Sequence, residues 1–375
     1  MRAAVAATAA LALAGLYLLP LLAVSANRLA IGEPVYAGEA FGPEIDVAAA
    51  LVLAGSLLLA GGGSRVAAAC AGLLLATATM VLGFGLCTAA IDLDAGRPAA
   101  ARVALAAGAW TALAALSGAL VLAGRRAGCR RPGMILLAGF AVAIVAAGRA
   151  GLLDGVSLME EFRARQATLR SALIEHLLLA GGALALAVVA VLLSSPWRRL
   201  RAGVDLLAGG VQVVPAVALL AAMTALVSAL LKAFPALREA GLSALGPVPA
   251  LLAVAAYLIL PLWRGLAAAL RAPDPAVLDA ARALGLSPRE TLVQVRLPIG
   301  APALIGALRV ASVQAIGLAT LGALVGAGGL GRIVFDGMAQ FAPDLILLGA
   351  MPVVGLSLAV EGVLSALEDR VRRWV

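Results

Sequence analysis

Long apolar runs recur along the whole chain and set strict limits on its fold. As helix, a run of roughly 20 residues crosses the ~30 Å hydrocarbon layer of a membrane. Ten runs fit this role, at about 4–25, 47–62, 66–87, 101–123, 133–148, 173–194, 204–230, 246–268, 299–326 and 344–366. A segment in lipid must satisfy its backbone hydrogen bonds within itself. The sequence therefore predicts an all-α polytopic membrane protein with about ten transmembrane helices.

The composition supports a membrane protein and argues against other classes. Of the 375 residues, 63% are hydrophobic and 13% are charged, whereas soluble domains are about half apolar and a quarter charged. The formal net charge of +8 could suit a nucleic-acid partner. Membrane proteins, however, collect basic residues in cytoplasmic loops, and no basic run here alternates with aromatic residues. Cys70, Cys87 and Cys129 have no paired spacing, so the sequence predicts neither a disulfide framework nor a metal site.

The distribution of charge predicts the orientation of the helices. With the N-terminus inside, seventeen basic residues fall in inside segments and nine in outside segments, while most carboxylates fall outside. This asymmetry follows the positive-inside rule, so we expect an N-in, C-in protein of the cell (inner or plasma) membrane. Val24-Ser25-Ala26 has the form of a signal-peptide cleavage site. The apolar run before it is long for a signal peptide, and we therefore expect an uncleaved first helix.

The chain divides near residue 155 into two unlike parts. Residues 1–155 are rich in Ala, Leu and Gly and hold about five of the predicted helices, with no pattern that indicates chemistry. A charged, helix-prone stretch follows, and we expect residues 156–173 to form a solvated linker helix on the outer surface. From about residue 174 the apolar runs contain prolines and glycines. Membrane helices tolerate such breaks where the backbone is buried in protein or lines a cavity.

A polar stretch, residues 272–298, separates two apolar runs on the predicted inner side. Asp274-Pro275 is a helix start, with Asp as the N-cap and Pro in the first turn. The helix 276–284 should end at Gly285, a residue that readily adopts positive φ. Ser287-Pro288 then begins a second short helix in the same way. The pattern predicts two short helices joined by a glycine hinge, which indicates a docking surface rather than an amphipathic membrane helix.

Two single residues stand out within the spans. Arg309 lies about two turns into the ninth span, where an unpaired arginine costs about 2.5–3.5 kcal/mol or more. We expect it to reach the cytoplasmic interface or to form a structural ion pair with Asp279 or Glu361, rather than to contact substrate. His176, the only histidine, lies at the predicted outer end of a helix, and we expect it to be an interfacial residue.

A glycine-rich run, Ile316–Gly331, closes the ninth span. No Lys-Ser/Thr pair follows its glycines, so it is not a phosphate-binding loop. We expect it to let the backbone bend and to shape a gate at the outer end of that span. Simple close packing of small residues is the alternative. Gln212 and Gln314 either line a pathway or form ordinary bonds between helices.

Several separated segments carry a family resemblance. They are Glu175-His176-Leu177, the Q-x-x-P-x-x-A-L-like stretch Gln212–Leu220, the set Asp279-Ala280-Ala281, Gly285 and Leu297-Pro298, and the glycine-rich run. Together they resemble the permease subunit of ABC importers of the glycine betaine/choline/carnitine (osmoprotectant) type. The third set resembles the EAA loop of that family, with Asp279 where Glu is usual. The resemblance covers about residues 174–370, and the longer members of the family also carry an N-terminal extension.

The resemblance implies a non-catalytic membrane subunit without a cofactor. Residues 174–370 should form a five-helix ABC type I importer (MetI-like) core with a cytoplasmic coupling loop at 272–298. The implied partners are two copies of an ABC ATPase, a second copy or a sister permease, an extracytoplasmic substrate-binding protein, a small-molecule substrate and membrane lipid. ATPase coupling falls on Asp279, Ala280, Ala281, Arg282, Gly285, Leu297 and Pro298. The candidates for the pathway or gate are Gln212, Pro215, Gln314, Thr320, Gly326, Gly328 and Gly329.

Three other functions compete with this interpretation. A permease of a methionine or amino-acid ABC importer shares the core fold and the EAA-like loop. An ion-coupled secondary transporter usually needs carboxylates near the middle of the membrane, whereas the acidic residues here lie at span ends or in loops. A membrane enzyme needs a catalytic constellation, and the spans contain neither a carboxylate pair nor a nucleophile–base set.

Overall fold

The computed structural model describes residues 1–28, 30–98, 100–194 and 209–374. These residues form two compact units. The first unit comprises Met1–Arg165 together with Gly337–Leu345, and the second comprises Gln166–Asp336 together with Ile346–Val375. The described chain is largely helical in both units.

The first unit contains seven helices before residue 165. They are α1 (Arg2–Tyr17), α2 (Ala37–Ala40), α3 (Glu44–Gly61), α4 (Arg65–Asp94), α5 (Ala107–Arg126), α6 (Pro132–Arg149) and α7 (Ser157–Ala164). Small residues let these helices approach closely. A Cβ atom at Gly108 would lie 2.4 Å from the carbonyl oxygen of Gly15, so the start of α5 touches the end of α1 backbone to backbone. The core of this unit is correspondingly built from buried alanines and leucines.

A small antiparallel sheet corrects two of the predicted spans. Strands Leu22–Ser25 (β1), Glu33–Val35 (β2) and Arg102–Leu105 (β3) lie in the order β2-β1-β3, with Leu22 opposite both Val35 and Leu105. The predicted spans 4–25 and 101–123 each include one of these strands. The first helix ends earlier because Pro20 has no N–H to donate and disfavours helical geometry in the residue before it. Alternate residues of β1 are then buried.

The second unit contains the remaining elements. Its helices are α8 (Gln166–Ser194), α9 (Ala216–Ala233), α10 (Ala236–Glu239), α11 (Pro247–Arg271), α12 (Pro275–Ala283), α13 (Pro288–Glu290), α14 (Leu297–Ala319), α15 (Leu330–Ala339) and α16 (Pro343–Val371). A π-helical segment, Thr291–Arg296, precedes α14, and a 3₁₀ segment, Thr320–Val325, follows it. The end of α15 and the start of α16 belong to the first unit.

Helix α11 packs against α8, α9 and α14. Its contact with α14 is unusually close because small residues face each other along it. A Cβ atom at Gly300 would lie 2.4 Å from the carbonyl oxygen of Ala269, and a Cβ atom at Gly265 would overlap that of Ala307 at 2.0 Å. The two helices therefore cross with little side-chain volume between them, which fixes where the segments at both ends of α14 lie.

The predicted multi-pass membrane fold is confirmed. Within the described ranges, nine helices are long and apolar enough to cross a membrane, while α1, with 16 residues, is shorter. The predicted span 204–230 lies partly outside the described residues. In its described part, residues 209–213 are helical and the chain breaks at Val214-Pro215 before α9 begins. The N-in, C-in orientation stays a prediction.

The predicted solvated linker proved to be only partly solvated. Residues 157–164 do form a helix, α7, but Ser157 and Glu161 are buried in it. The next helix, α8, begins at Gln166, within the stretch that we expected to be linker. The sequence suggested a solvated helix because of its charges, and those charges instead form ion pairs within the first unit.

Candidate functional site

The coupling-loop candidate, residues 272–298, begins with the predicted capped helix. The side chain of Asp274 accepts a hydrogen bond from the backbone N–H of Ala276 at 2.8 Å, with Pro275 as the first residue of α12. The helix ends one residue before Leu284, and Gly285 follows with φ +79°. An L side chain at that φ is strained. The helix and its glycine stop are therefore confirmed as local structure.

The second short helix also forms, and it continues in an unexpected way. Ser287 and Glu290 make a capping box, in which Glu290 N–H donates to the Ser287 hydroxyl at 3.3 Å and Ser287 N–H donates to the Glu290 carboxylate at 2.8 Å. Pro288 is the first residue of α13. The chain then runs through the π-helical segment Thr291–Arg296 directly into α14, so that Leu297-Pro298 is the first turn of a membrane helix.

Helix α12 presents a mixed surface to solvent. Asp279 pairs with Arg282 at 2.7 Å, and both side chains are largely exposed. Ala280 is exposed between them, and Leu284, at the end of the helix, has 80% of its surface exposed. Ala281 lies on the opposite side and is buried. Val277, on the same helix, is 42% exposed. The exposed surface of α12 therefore combines apolar and charged side chains.

The glycine-rich segment bends where its glycines lie. Helix α14 gives way to the 3₁₀ segment at Thr320, whose hydroxyl donates to the carbonyl oxygen of Gly317 at 2.6 Å. Gly326, Gly328 and Gly329 then have φ of +80°, +74° and +77°. Residues with side chains rarely adopt this conformation. The three glycines therefore form an obligatory bend between the 3₁₀ segment and α15.

Two neighbouring residues of α8 hold this bend at both ends. The carboxylate of Glu175 accepts a hydrogen bond from the backbone N–H of Gly329 at 2.8 Å. The Nε2 of His176 lies 3.0 Å from the carbonyl oxygen of Ile316, near the end of α14. Since a carbonyl can only accept, Nε2 carries the proton. The expectation of an interfacial histidine was wrong, because His176 is fully buried.

The pathway candidates fall into separate groups. The side chain of Gln212 donates to the carbonyl oxygen of Tyr257 at 2.7 Å, and the Tyr257 hydroxyl donates to the carbonyl oxygen of Val214. This pair of bonds ties the broken segment before Pro215 to α11. Gln314 has an exposed side chain on α14. The structure thus places Gln212 and the segment before Pro215 beside α11, and Gly328 and Gly329 beside α8.

Comparison with known proteins identifies the family. A family model described as "Binding-protein-dependent transport system inner membrane component" matches residues 183–373, about half of the chain. The chain belongs to this family. A second model, described as the N-terminal domain of the ABC transporter permease YehY, matches residues 1–159. The predicted resemblance to an ABC-importer permease with an N-terminal extension is confirmed.

Individual related proteins match parts of this chain. The carnitine transport permease protein OpuCB of Listeria monocytogenes is 37% identical over 125 residues, 33% of this chain and 57% of the relative. The choline transport system permease protein OpuBD of Bacillus subtilis is 30% identical over 196 residues, 51% of this chain and 80% of the relative. The chain therefore spans little more than half the length of the first of these relatives.

A solved structure matches about half of this chain. It is the MetNI methionine ABC transporter in an inward-facing conformation, with a TM-score of 0.47 and 18% identity, over 56% of this chain and 98% of that one.

In this transport component, Arg309 lies between two carboxylates of α16. Its Nη1 is 3.0 Å from an oxygen of Glu361, and its Nη2 is 3.5 Å from an oxygen of Glu368. The sequence had suggested Asp279 or Glu361 as the partner; Asp279 pairs with Arg282 instead. Glu368 was missed, although it lies seven residues after Glu361 and therefore on the same face of a helix.

Replacing Arg309 with methionine should destabilise the fold. The change leaves Glu361 without its cation and Glu368 with only the exposed Arg372 as partner. We expect a loss of about 1–3 kcal/mol in the free energy of unfolding because the site is only partly exposed. The melting temperature of the purified chain in detergent should fall by about 3–8 °C.

The control for this change is Arg332→Met. Arg332 forms an exposed pair with Asp336 at 4.0 Å, which should contribute little. Adding Glu368→Gln to Arg309→Met should recover part of the loss, since it removes the more buried of the two carboxylates. Equal melting temperatures for the Arg309 and Arg332 variants would contradict the structural role.

Proposed function

We propose that this chain is the membrane subunit that forms the translocation pathway of an ATP-driven importer of osmoprotectants, such as glycine betaine, choline and related quaternary ammonium compounds. The observation that carries the proposal is α12, an exposed helix with an apolar end and a charged pair, held between two long apolar helices. Relatives named for carnitine and choline transport support the substrate class. The chain itself is non-catalytic in this proposal, and partner chains hydrolyse ATP.

The partners follow from this role. Two copies of an ABC ATPase would bind the coupling loop, with Asp279, Ala280, Ala281, Arg282 and Gly285 at the contact. Leu297-Pro298 would pass the movement into α14. The chain would pair with a second copy or with a sister permease, and a substrate-binding protein would deliver the solute from the opposite side of the membrane.

We propose that three parts of the chain have separate roles. Residues 174–370 form the permease core with its coupling loop at 272–298, residues 1–155 form the N-terminal membrane extension, and residues 156–173 connect them. Within the core, Gln212, Pro215 and Gln314 are proposed to line the pathway. Thr320, Gly326, Gly328 and Gly329 are proposed to shape its gate, since they form the bend that Glu175 and His176 hold.

Solute uptake tests the proposal. The chain would be reconstituted in vesicles with its ATPase and binding protein, and uptake of labelled glycine betaine, choline, carnitine and methionine would be measured with and without enclosed ATP. We expect uptake of the quaternary ammonium compounds only with ATP. Uptake of methionine alone would favour the amino-acid importer, and uptake driven by an ion gradient without ATP would favour a secondary transporter.

A double variant in the coupling loop connects uptake to the candidate site. Gly285→Pro cannot adopt the observed φ of +79°, and Asp279→Arg reverses one charge of the exposed pair. We expect this variant to lose both ATP-dependent uptake and co-purification of the ATPase. Arg163→Gln, an exposed site in the other unit, should retain both.

A further inference from the structure

The segment Gly337–Leu345 contains the last residues of α15, the turn 340–342 and the first residues of α16, and it packs within the first unit, among residues of the N-terminal extension. Its anchor points are buried, since Ala342 and Leu345 have almost no exposed surface. Gly337 is buried as well, and Phe341, between Gly337 and Ala342, is 86% exposed. We refer to residues 337–345 as the α15–α16 loop. A loop with buried ends and an exposed tip needs a partner that holds its ends.

Two polar contacts hold the loop from the extension. The hydroxyl of Ser157, the first residue of α7, donates a hydrogen bond to the carboxylate of Asp344 at 2.6 Å. The guanidinium of Arg28 donates to the side-chain oxygen of Gln340 at 3.0 Å. The contacts lie on either side of the loop tip, so the extension holds both sides of Phe341.

Helix α7, which carries Ser157, is itself held by ion pairs of its two glutamates. The carboxylate of Glu161, only 7% exposed, lies 3.4 Å from Arg28 and 2.9 Å from Arg165. Arg28 therefore bridges α7 and the α15–α16 loop. Glu160 pairs with Arg102 of β3 at 2.9 Å, and partial burial raises the pKa of Glu160 while Arg102 opposes that rise.

The chain just before α7 is equally constrained. A Cβ atom at Gly155 would lie 2.6 Å from the backbone nitrogen of Ile91, so this residue rests directly on the backbone of α4. The α4 contact and the Glu160–Arg102 ion pair therefore tie α7 to two other elements of the first unit. The segment that carries Ser157 is held by contacts that do not involve the loop.

One residue of the α15–α16 loop has a strained backbone conformation. Among the described residues other than glycine, only Phe341 has a positive φ, at +51°. For a bulky side chain this conformation is strained, and it persists only where surrounding contacts fix the backbone on both sides. Backbone bonds from the N–H of Phe341 to Met338 and from the N–H of Ala342 to Gly337 close the end of α15 around it. The contacts of Arg28 with Gln340 and of Ser157 with Asp344 add a side-chain bond on each side.

We propose that the N-terminal extension is a clamp for the α15–α16 loop, formed by Ser157 and Arg28 on a base of α7, and that it holds this loop in its strained conformation. This gives the extension a role that the permease core cannot supply. In the importer proposed above, on which this consequence rests, the clamp sets the geometry of the connection between the gate-side helix α15 and the last membrane helix.

Amide hydrogen exchange on the full chain in detergent tests the clamp. The variants are Arg28→Gln, Ser157→Ala and the two combined. We expect exchange of the amides of residues 340–345 to rise by about tenfold in each single variant and further in the double variant. Ser157→Ala loses a partly buried hydrogen bond, and Arg28→Gln loses the bond to Gln340 together with the ion pair to Glu161. Exchange in α12 should not change.

Arg163→Gln is the matched control. Arg163 also lies on α7 and pairs with an acidic residue, Asp154, but both are exposed and neither touches the loop. It should leave the exchange of residues 340–345 as in the wild type. Unchanged exchange in a folded Arg28→Gln, Ser157→Ala double variant would overturn the clamp, and so would an equal rise in the Arg163 variant.

Uptake measured on the same variants separates the two proposals. If the wild-type chain supports no ATP-dependent uptake, the importer function fails while the exchange result still decides whether the clamp exists. If uptake is normal and the exchange of the loop is unaffected by the variants, the clamp fails alone. If the double variant does not fold, Ser157→Ala, which removes a single hydroxyl, gives the same readout.

Discussion

Replacing Gly331 with alanine adds a single methyl group, and we expect it to lower the free energy of unfolding more than most such changes in this chain. A Cβ atom there would lie 2.0 Å from the carbonyl oxygen of Thr320 and 2.7 Å from its carbonyl carbon. These are backbone atoms, so no side-chain rotation relieves the overlap, and α15 must move away from the end of α14. We expect a loss of about 3 kcal/mol or more, and a melting temperature about 6–12 °C lower in detergent.

Alanine substitutions at two other glycines give melting temperatures with which the Gly331 variant can be compared. Gly326 has φ +80° but open space around it, so Gly326→Ala should show only the backbone cost of about 1–2 kcal/mol. Gly317 has open space and no positive φ, so Gly317→Ala should be neutral. The order of melting temperatures should be Gly331→Ala lowest, Gly326→Ala intermediate and Gly317→Ala near the wild type. Equal values across the series would show that the bend is not closely packed.

In the proposed importer, replacing Leu284 with aspartate is expected to abolish binding of the proposed ATPase partner while leaving the fold intact. Leu284 has 80% of its surface exposed at the end of α12, so the fold gains little from it. An apolar anchor that enters a partner's groove commonly contributes 2 kcal/mol or more to binding, and burying a charge there costs still more. We expect the amount of ATPase that co-purifies from detergent extracts to fall by about 100-fold.

Leu245→Asp is the control for the ATPase experiment. Leu245 is also exposed, but it lies just before α11, at the end of that helix away from the coupling loop. The melting temperatures of both variants should match the wild type, and only Leu284→Asp should lose the ATPase. If the ATPase still co-purifies with Leu284→Asp, the apolar end of α12 is not the anchor and the charged pair Asp279–Arg282 becomes the next candidate.

The local structure of the coupling loop was predictable because it follows local rules. Asp274 and Ser287 cap helices, prolines occupy the first helical positions, and Gly285 supplies the positive φ that ends α12. Each of these preferences depends on residues within a few positions of one another. The membrane class was predictable for a similar reason, since hydropathy is read along a continuous run.

Features that depend on distant residues were not predictable in this way. From its position in the sequence, His176 was expected to lie at the membrane interface. It is instead bonded to the carbonyl oxygen of Ile316, which lies far along the chain. The strand Leu22–Ser25 reads as the end of a helix because its residues are apolar, and its partners lie both nearby and about 80 residues away. In each case the sequence shows the polarity of a residue but not the neighbour that determines its conformation.

The π-helical turn at Thr291–Arg296 has a mechanical consequence for the loop before it. Such a turn accommodates one more residue than an α-helical turn, and one residue corresponds to about 100° of rotation around a helix axis. The face that α12 and α13 present is therefore set by the number of residues in this turn rather than by their identity. Removing one residue between Thr291 and Arg296 would rotate α12 by about 100° around the axis of α14. Every side chain of its surface would still be present but would point in another direction.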